Sequence, residues 1–376
     1  MQAGVNLGNW LVLEKWMDSD AFTGTDADDE VWLARSLSRD ELRERMTIHR
    51  DAYITEADFG ELAHNGVKLV RLPVPYFVFG DRAPFIGCIE YVDKAFEWAQ
   101  KYDMQILLDL HTVPGSQNGF DNGGLSGVSR WWMNEKEVLF ALSVLERLGL
   151  RYGTHPALYG IEVLNEPASW LVWQLNKRTY PPRDETESQG SCHVPMRFLK
   201  HFYKAAYTRL RCVMSDDKVI VFHDGFRLMT WVPVFMTPRF KRMKNIAIDT
   251  HIYITAMEGM IPQYLQKFIG TTQQCENVYR IFLKIIQLRL RVVRATGVDV
   301  MVGEWCLENQ LSKRDESFTQ SFAHMQLKTY NNAGVRAQFY WSYQQNQDNK
   351  KRVQLAHSWR KFWDWRMMKD YLGITL

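Results

Sequence analysis

Ile161-Glu162-Val163-Leu164-Asn165-Glu166-Pro167 and Val300-Met301-Val302-Gly303-Glu304-Trp305 are two short apolar runs, each of which arrives at a glutamate. A parallel strand buried on both faces reads as a short continuous apolar run rather than an alternating one. Glu166 and Glu304 are therefore expected where a strand gives way to a loop. Eight such strands can be placed along the chain: Ala3–Leu7, Lys68–Pro73, Gln105–Leu110, Tyr159–Leu164, Val219–Phe222, Ile246–Thr250, Val300–Val302 and Ala337–Trp341.

Helix-like stretches lie between most of them. Glu56–Asn65 follows a Thr55 cap and stops before Gly66, and Glu90–Tyr102 carries Val92, Phe96 and Ala99 at helical spacing. Glu135–Arg151, Met196–Met214, Glu276–Thr296 and Glu316–Asn332 read the same way. Alternation of this kind over one chain implies parallel βαβ units. Eight of them predict an α/β fold, a closed (β/α)8 TIM barrel with catalysis at its C-terminal rim. The structural alternative, a doubly wound open sheet, lacks a Gly-x-Gly-x-x-Gly after the first strand. No internal repeat or low-complexity tract divides residues 1–376, so one domain is expected. Two βα connections are long, Gly8–Thr55 and Ala168–Pro195. Loops of such length tend to be functional, and on a barrel they would wall the C-terminal face.

The composition, 46% hydrophobic and 24% charged over 376 residues, is that of an ordinary globular chain. A net charge of +3 argues against a nucleic-acid surface. No apolar run is long enough to span a membrane. The chain shows no basic-then-apolar leader. Its five cysteines are odd in number and scattered, without zinc spacing. Free thiols and a cytoplasmic location are the resulting expectation. Aromatic residues are abundant (Trp 14, Tyr 16, Phe 20), which suits stacking on the apolar face of a sugar ring as well as core packing.

Two carboxylates facing each other across a barrel mouth are the equipment of glycoside hydrolysis. Glu166 would be the acid/base and Glu304 the nucleophile, with retention requiring the carboxyl groups about 5–5.5 Å apart and inversion roughly 6.5–9.5 Å. Asn165, beside the acid, is suited to the sugar 2-hydroxyl. Arg71 and Tyr253, at or just past strand ends, could keep Glu304 ionised and oriented. His111 and His251 also end strand-like runs. They could ligate a metal, but no third ligand stands at metal spacing, so neither metal nor cofactor is expected. Trp341 could floor the sugar, and Glu14 could accept two sugar hydroxyls.

Together these residues resemble glycoside hydrolase family 5. Arg71, His111, Asn165, Glu166, His251, Tyr253, Glu304 and Trp341 fall in the order of that family's core positions. Within the family, Gly4–Glu14, Leu110–Asn122 and Gly303-Glu304-Trp305 look like the corresponding segments of exo-β-1,3-glucanases. That resemblance implies that Phe120 clamps the subsite beyond the cleavage point and that Asp121 and Asn122 hold the terminal glucose. The implied activity is release of glucose from the non-reducing ends of β-1,3-gluco-oligosaccharides with retention. The substrate partner is an oligosaccharide or glycoside, with no nucleic acid and no membrane. Other specificities of the family (β-mannosidase, β-1,4-glucosidase, diglycosidase), a metal-dependent hydrolase and a non-catalytic sugar-binding barrel are the competing readings. The chain departs from the resemblance at Ile252, where a further histidine is usual. It departs again at Thr255–Gly259, which lacks the aromatic expected opposite Phe120, and at the Ala168–Pro195 insertion.

Overall fold

The structure is a computed structural model that describes residues 1–259, 261–262, 266, 269, 271–309, 311, 316–345 and 364–372. Eight strands, β1 (Gln2–Asn6), β2 (Leu69–Val74), β3 (Gln105–Leu110), β4 (Leu158–Glu162), β5 (Val219–His223), β6 (Ile246–Ile252), β7 (Asp299–Trp305) and β8 (Ala337–Tyr340), close into a barrel in sequence order. Every neighbouring pair is parallel, including β1 with β8. The (β/α)8 expectation holds. β6 and β7 run further than the sequence indicated, because their apolar runs continue into polar residues that the barrel also buries.

The apolar runs conceal two facings. Val70, Leu108, Ile161, Ile220, Ile248 and Val300 point outward into the layer under the helices. Leu69, Leu107, Val219, Ala247, Met301, Ala337 and Phe339 fill the barrel interior as a separate cluster. Residues two further along several of these strands, Arg71, Asp109 and Asp249, continue the inward face and are fully buried. Successive strand residues point to opposite faces, so one strand carries a helix-facing apolar row and an interior row that turns from apolar to charged toward the rim.

The surrounding helices form where the sequence puts an apolar stripe behind a cap. Glu56–His64 has a capping box in which the Thr55 backbone N–H donates to Asp58 Oδ2 at 2.7 Å. The helix Ile89–Lys101 buries Val92, Phe96 and Ala99. The Gly8–Thr55 excursion, expected as an extended loop, contains two helices, Glu30–Ser36 and Arg39–Tyr53. Its Ser38/Glu41 capping box was the signal that could have announced the second of them. The 168–195 insertion holds two shorter helices, Trp170–Asn176 and Glu185–Ser188. Among the described residues no helix is long and apolar enough to cross a membrane.

Candidate active site

A cavity of about 1010 Å³ opens at the C-terminal end of the strands. Nine of the twelve residues singled out from sequence line it: Glu14, Phe120, Asp121, Asn122, Glu166, His251, Tyr253, Glu304 and Trp341. The other three, Arg71, His111 and Asn165, stand behind it with no exposed surface.

Arg71 organises the floor. Its Nη1 donates to Glu304 Oε1 at 2.9 Å and to Asn6 Oδ1 at 3.0 Å. Its Nε reaches Glu162 Oε2 at 2.8 Å, and Nη2 reaches Asn165 Oδ1 at 2.9 Å and Asp109 Oδ2 at 3.0 Å. A planar fork of donors suits this divergent set in a way an ammonium would not. Burial works against the Arg71 charge, but Asp109, Glu162 and Glu304 outweigh it and hold the guanidinium protonated. Asp109, Glu162, Asp249 and Asn6 were not picked out from sequence. Their signal was an acid or amide at an inward-facing position inside an otherwise apolar strand.

Glu304 sits in β7 one residue before its end, and the ladder slips in register on both sides of this segment. The preceding Gly303 lies against Asp249. A methyl group built there would come 1.8 Å from Asp249 Oδ2, while the Gly303 N–H donates to Asp249 Oδ1 at 2.5 Å. Glu304 Oε2 accepts from the Tyr253 hydroxyl at 2.7 Å. Burial, with the charge on Glu304 next, keeps that phenol protonated as a donor.

Glu166 lies four residues beyond the end of β4 rather than on the strand end itself. Its φ is +43°, in the left-handed region that glutamate seldom occupies. Neighbours hold the turn in place. The Asn165 N–H donates to Leu110 O at 3.0 Å, Gln117 Nε2 donates to Asn165 O at 2.9 Å, and the Ala168 N–H returns to Gln117 O at 3.1 Å. Gln117 is thus a positioning residue that the sequence did not disclose, because its partners come from another loop.

His251 stands between the two acids. Its Nδ1 is 2.7 Å from Glu166 Oε1 and 3.3 Å from Glu304 Oε2. Those two oxygens can therefore be no farther apart than the sum of the two distances, about 6 Å. Burial opposes the imidazolium, but Glu304, Asp249 and Glu166 raise His251 well above its ordinary value. Burial likewise pushes Glu166 up, yet the hydrogen bond and charge of His251, with His223 and Asn122, bring it down to about 2. Asn122 Nδ2 donates to Glu166 Oε2 at 2.9 Å and so holds the carboxylate expected to be the acid. Burial raises Glu304, with Glu166 adding to the rise and His251 and Arg71 opposing it.

His111 is tied by Nδ1 to Asp109 Oδ2 at 2.6 Å and faces Asn165 Nδ2 through Nε2 at 3.3 Å. The Trp341 ring stacks against it, centroids 6.1 Å apart and planes 11° from parallel. Glu14 is buried beside Asp121, and burial and that acid raise it well above the usual carboxylate range. It accepts from Trp16 Nε1 at 2.8 Å. The aromatic partners of Phe120 are Tyr180, 5.2 Å away in the 168–195 insertion, and Phe226, 6.5 Å away in the loop after β5. Neither was anticipated from sequence, which looked for this partner in Thr255–Gly259.

Two groups could approach a metal among the described residues, Glu166 with His223 and His251, and Glu162 with Asp249 and His251. Both share His251, whose Nδ1 already faces the two cleft glutamates, and Glu162 is already engaged by Arg71. A cation there would have to compete with a guanidinium and an imidazolium for the same oxygens.

A family model described as Cellulase (glycosyl hydrolase family 5) matches residues 38–347. The chain is 34% identical over 281 residues to a protein named glucan 1,3-beta-glucosidase 2 from Wickerhamomyces anomalus, covering 71% of this chain and 59% of that one. It is 32% identical over 308 residues to a probable glucan 1,3-beta-glucosidase A from Emericella nidulans, covering 80% and 66%. It therefore spans less than two thirds of these relatives' length. Among solved structures it is similar to rutinosidase from Aspergillus niger, with TM-score 0.75 and 20% identity, covering 99% of this chain and 98% of that chain. It is also similar to Thermotoga maritima Cel5A, with TM-score 0.57 and 14% identity, covering 100% and 97%. At those identities the two structures speak for the fold alone.

Proposed function

Because the chain belongs to glycosyl hydrolase family 5, we propose that it is a retaining, exo-acting β-glycosidase that releases glucose from the non-reducing ends of β-1,3-gluco-oligosaccharides. The observation that carries the reading is the pair of glutamates bracketing His251, their facing oxygens no more than about 6 Å apart. So close an approach of the two acids supports the separation of about 5–5.5 Å between carboxyl groups that retention uses over the roughly 6.5–9.5 Å that leaves room for a water in inversion. The names of the fungal relatives support the β-1,3 linkage.

Glu304, oriented by Arg71 and Tyr253, attacks the anomeric carbon as nucleophile. Glu166 protonates the leaving oxygen and then, ionised, activates the water that releases glucose. His251 Nδ1 lies 2.7 Å from it, and the surrounding acids hold that imidazole well above its ordinary value. Among the groups that hold it there, the charge on Glu304 is the largest. As that charge is neutralised in bonding to the sugar, its hold on the His251 proton weakens, and in the same step Glu166 delivers a proton to the leaving oxygen while the glycosidic bond breaks. In this reading Glu14, Asp121 and Trp341, which line the cleft, hold the glucose, and the buried Asn165 supports the site from behind. Residues of the long loops after β1 and β4, among them Glu14, Trp16 and Tyr180, line the cleft, which supports exo action. The five free thiols support a reducing, cytoplasmic setting.

The test follows sugar release from laminaritriose, cellotriose and β-1,4-mannotriose by the wild type and the Glu304→Gln variant. Glucose from laminaritriose at a rate at least 10³-fold higher in the wild type is expected, a magnitude in keeping with loss of a nucleophile. Turnover of cellotriose or mannotriose alone would discard the β-1,3 linkage, and an unimpaired variant would discard the nucleophile.

A further inference from the structure

Away from the cleft, the outer wall of the barrel leaves an apolar stripe in water. It lies on the helix Thr272–Arg294, between β6 and β7. Thr271 starts this helix with a capping box, its side chain accepting from the Gln274 N–H at 3.2 Å. Tyr279, Leu283, Ile286 and Leu290 recur at helical spacing and form its buried face. A helix that covers a barrel needs one such face, and the opposite one is ordinarily polar. Here the opposite face is apolar too: Ile281, Ile285 and Leu288 are 59%, 47% and 64% exposed. Steps of four and then three residues set these side chains in one row.

The row is edged with positive charge. At about 3.6 residues per turn, Arg280, Lys284 and Arg291 fall along one margin and Arg289 along the other, and all four are exposed. Glu276 is the only acid of the helix, and it is engaged by Arg280 at 3.2 Å and by the Ser321 hydroxyl at 2.8 Å. No acid of the helix stands within a turn of Lys284 or Arg289. The neighbouring stretch of wall, which packs on this helix through Leu228–Trp231, has the same character. Residues 225–248 contain no acid. Met229 and Met236 are exposed there, and so are Arg239, Lys241, Arg242 and Lys244.

We propose that this face docks on an anionic lipid membrane, the helix lying in the plane of the headgroups with Ile281, Ile285 and Leu288 inserted between them. Apolar surface left in water marks an interaction site, and an aliphatic ridge with Lys and Arg on its margins is the pattern of helices that bind at a membrane interface. A second copy of the chain fits this face less well. Two-fold pairing would press the same basic margins together with no acid between them. Three side chains along about 10 Å of helix also fall far short of the roughly 800 Å² per partner that a stable interface buries. The expectation of no membrane partner rested on the lack of a spanning segment, and a helix that lies on the surface needs none. The proposal does not depend on the roles given to Glu166 and Glu304.

The experiment measures co-sedimentation of the full chain with phosphatidylcholine vesicles and with mixed phosphatidylcholine–phosphatidylserine vesicles, at low and at physiological salt. Each Lys or Arg beside an anionic surface contributes roughly fivefold, so the partition coefficient should be at least about tenfold higher on the anionic vesicles. It should fall as salt screens the charges. Lys284→Gln and Lys241→Gln should each lower it by up to about fivefold. The Ile285→Asn/Leu288→Asn double variant should lower it at least about tenfold through lost apolar burial, while Leu288→Met should keep it. Thermal melts check that these variants, all at exposed positions, stay folded. Partition to neither vesicle, or equal partition to both, overturns the proposal. So does binding to the anionic vesicles that neither Lys284→Gln nor the double variant weakens. A chain that is dimeric without vesicles and monomeric in the double variant overturns it in favour of a second copy.

Discussion

At the scale of single residues, His251 couples charge to stability. It is buried with Nδ1 facing Glu166 and Glu304 and Nε2 3.4 Å from Asp249 Oδ2. His223 packs edge-on against it at 4.4 Å. The folded state raises its affinity for a proton, so its stabilisation is complete below about pH 6.5, the free-chain value. That stabilisation is lost as pH rises through the higher folded value. Glu166 runs the other way, since its folded value is lowered to about 2. Its contribution is complete above the free-chain value of about 4.3 and is lost as pH falls toward 2. Stability should therefore be greatest between roughly pH 4.5 and 6.5. The His251→Gln variant should lower Tm by several degrees in that window and flatten the alkaline limb. Thermal melts from pH 4 to 9 check this, and an alkaline limb of unchanged slope in the variant would count against a protonated His251. The residue types at 166, 251 and 304 were legible in the sequence. Their shared proton was not, because it depends on atoms from three different strands or loops meeting within hydrogen-bond distance.

At the scale of elements, strand number, order and most helices followed from periodicity, while strand ends did not. The run at Val300–Val302 was expected to stop before Glu304, yet β7 continues to Trp305. Register slips in β6 and β7 bring His251 opposite Glu304, an alignment that local periodicity does not encode. Gly303 is where this element tolerates least. A methyl group there meets a buried carboxylate that has no room to retreat. Gly303→Ala should cost about 1–3 kcal/mol of stability through overpacking. By moving Glu304 on the order of 1 Å it should also lower kcat about 10²-fold. Paired denaturation and kinetic measurements check the two effects, and an unchanged kcat would show that the close approach does not set the position of Glu304. The Ala168–Pro195 stretch was visible only as an unmatched insertion. Its lack of strong periodicity hid a seven-residue helix whose place is set by Trp173 and Pro182 packing on glycines of another loop.

At the scale of the whole molecule, barrel closure decides which side chains reach solvent. Cys88, Cys275 and Cys306 are buried, Cys192 is intermediate and Cys212 exposed. A thiol reagent should therefore label Cys212 first and Cys192 more slowly in the native protein, and all five after denaturation. Peptide mapping by mass spectrometry reads the order, and early labelling of Cys306 would mean that the cleft opens far more than the structure shows. The sequence by itself determined the alternation of strand and helix, the closed barrel and the two glutamates at its rim, because these follow from spacing along one chain and from residue type. Only the tertiary structure decided the Arg71 web with Asp109 and Glu162, the proton site between Glu166 and His251, and the meeting of Phe120 with Tyr180. An apolar run buried on both faces looks the same whichever alternate residues face the barrel interior, and contacts between distant loops exist only once the eighth strand has paired with the first.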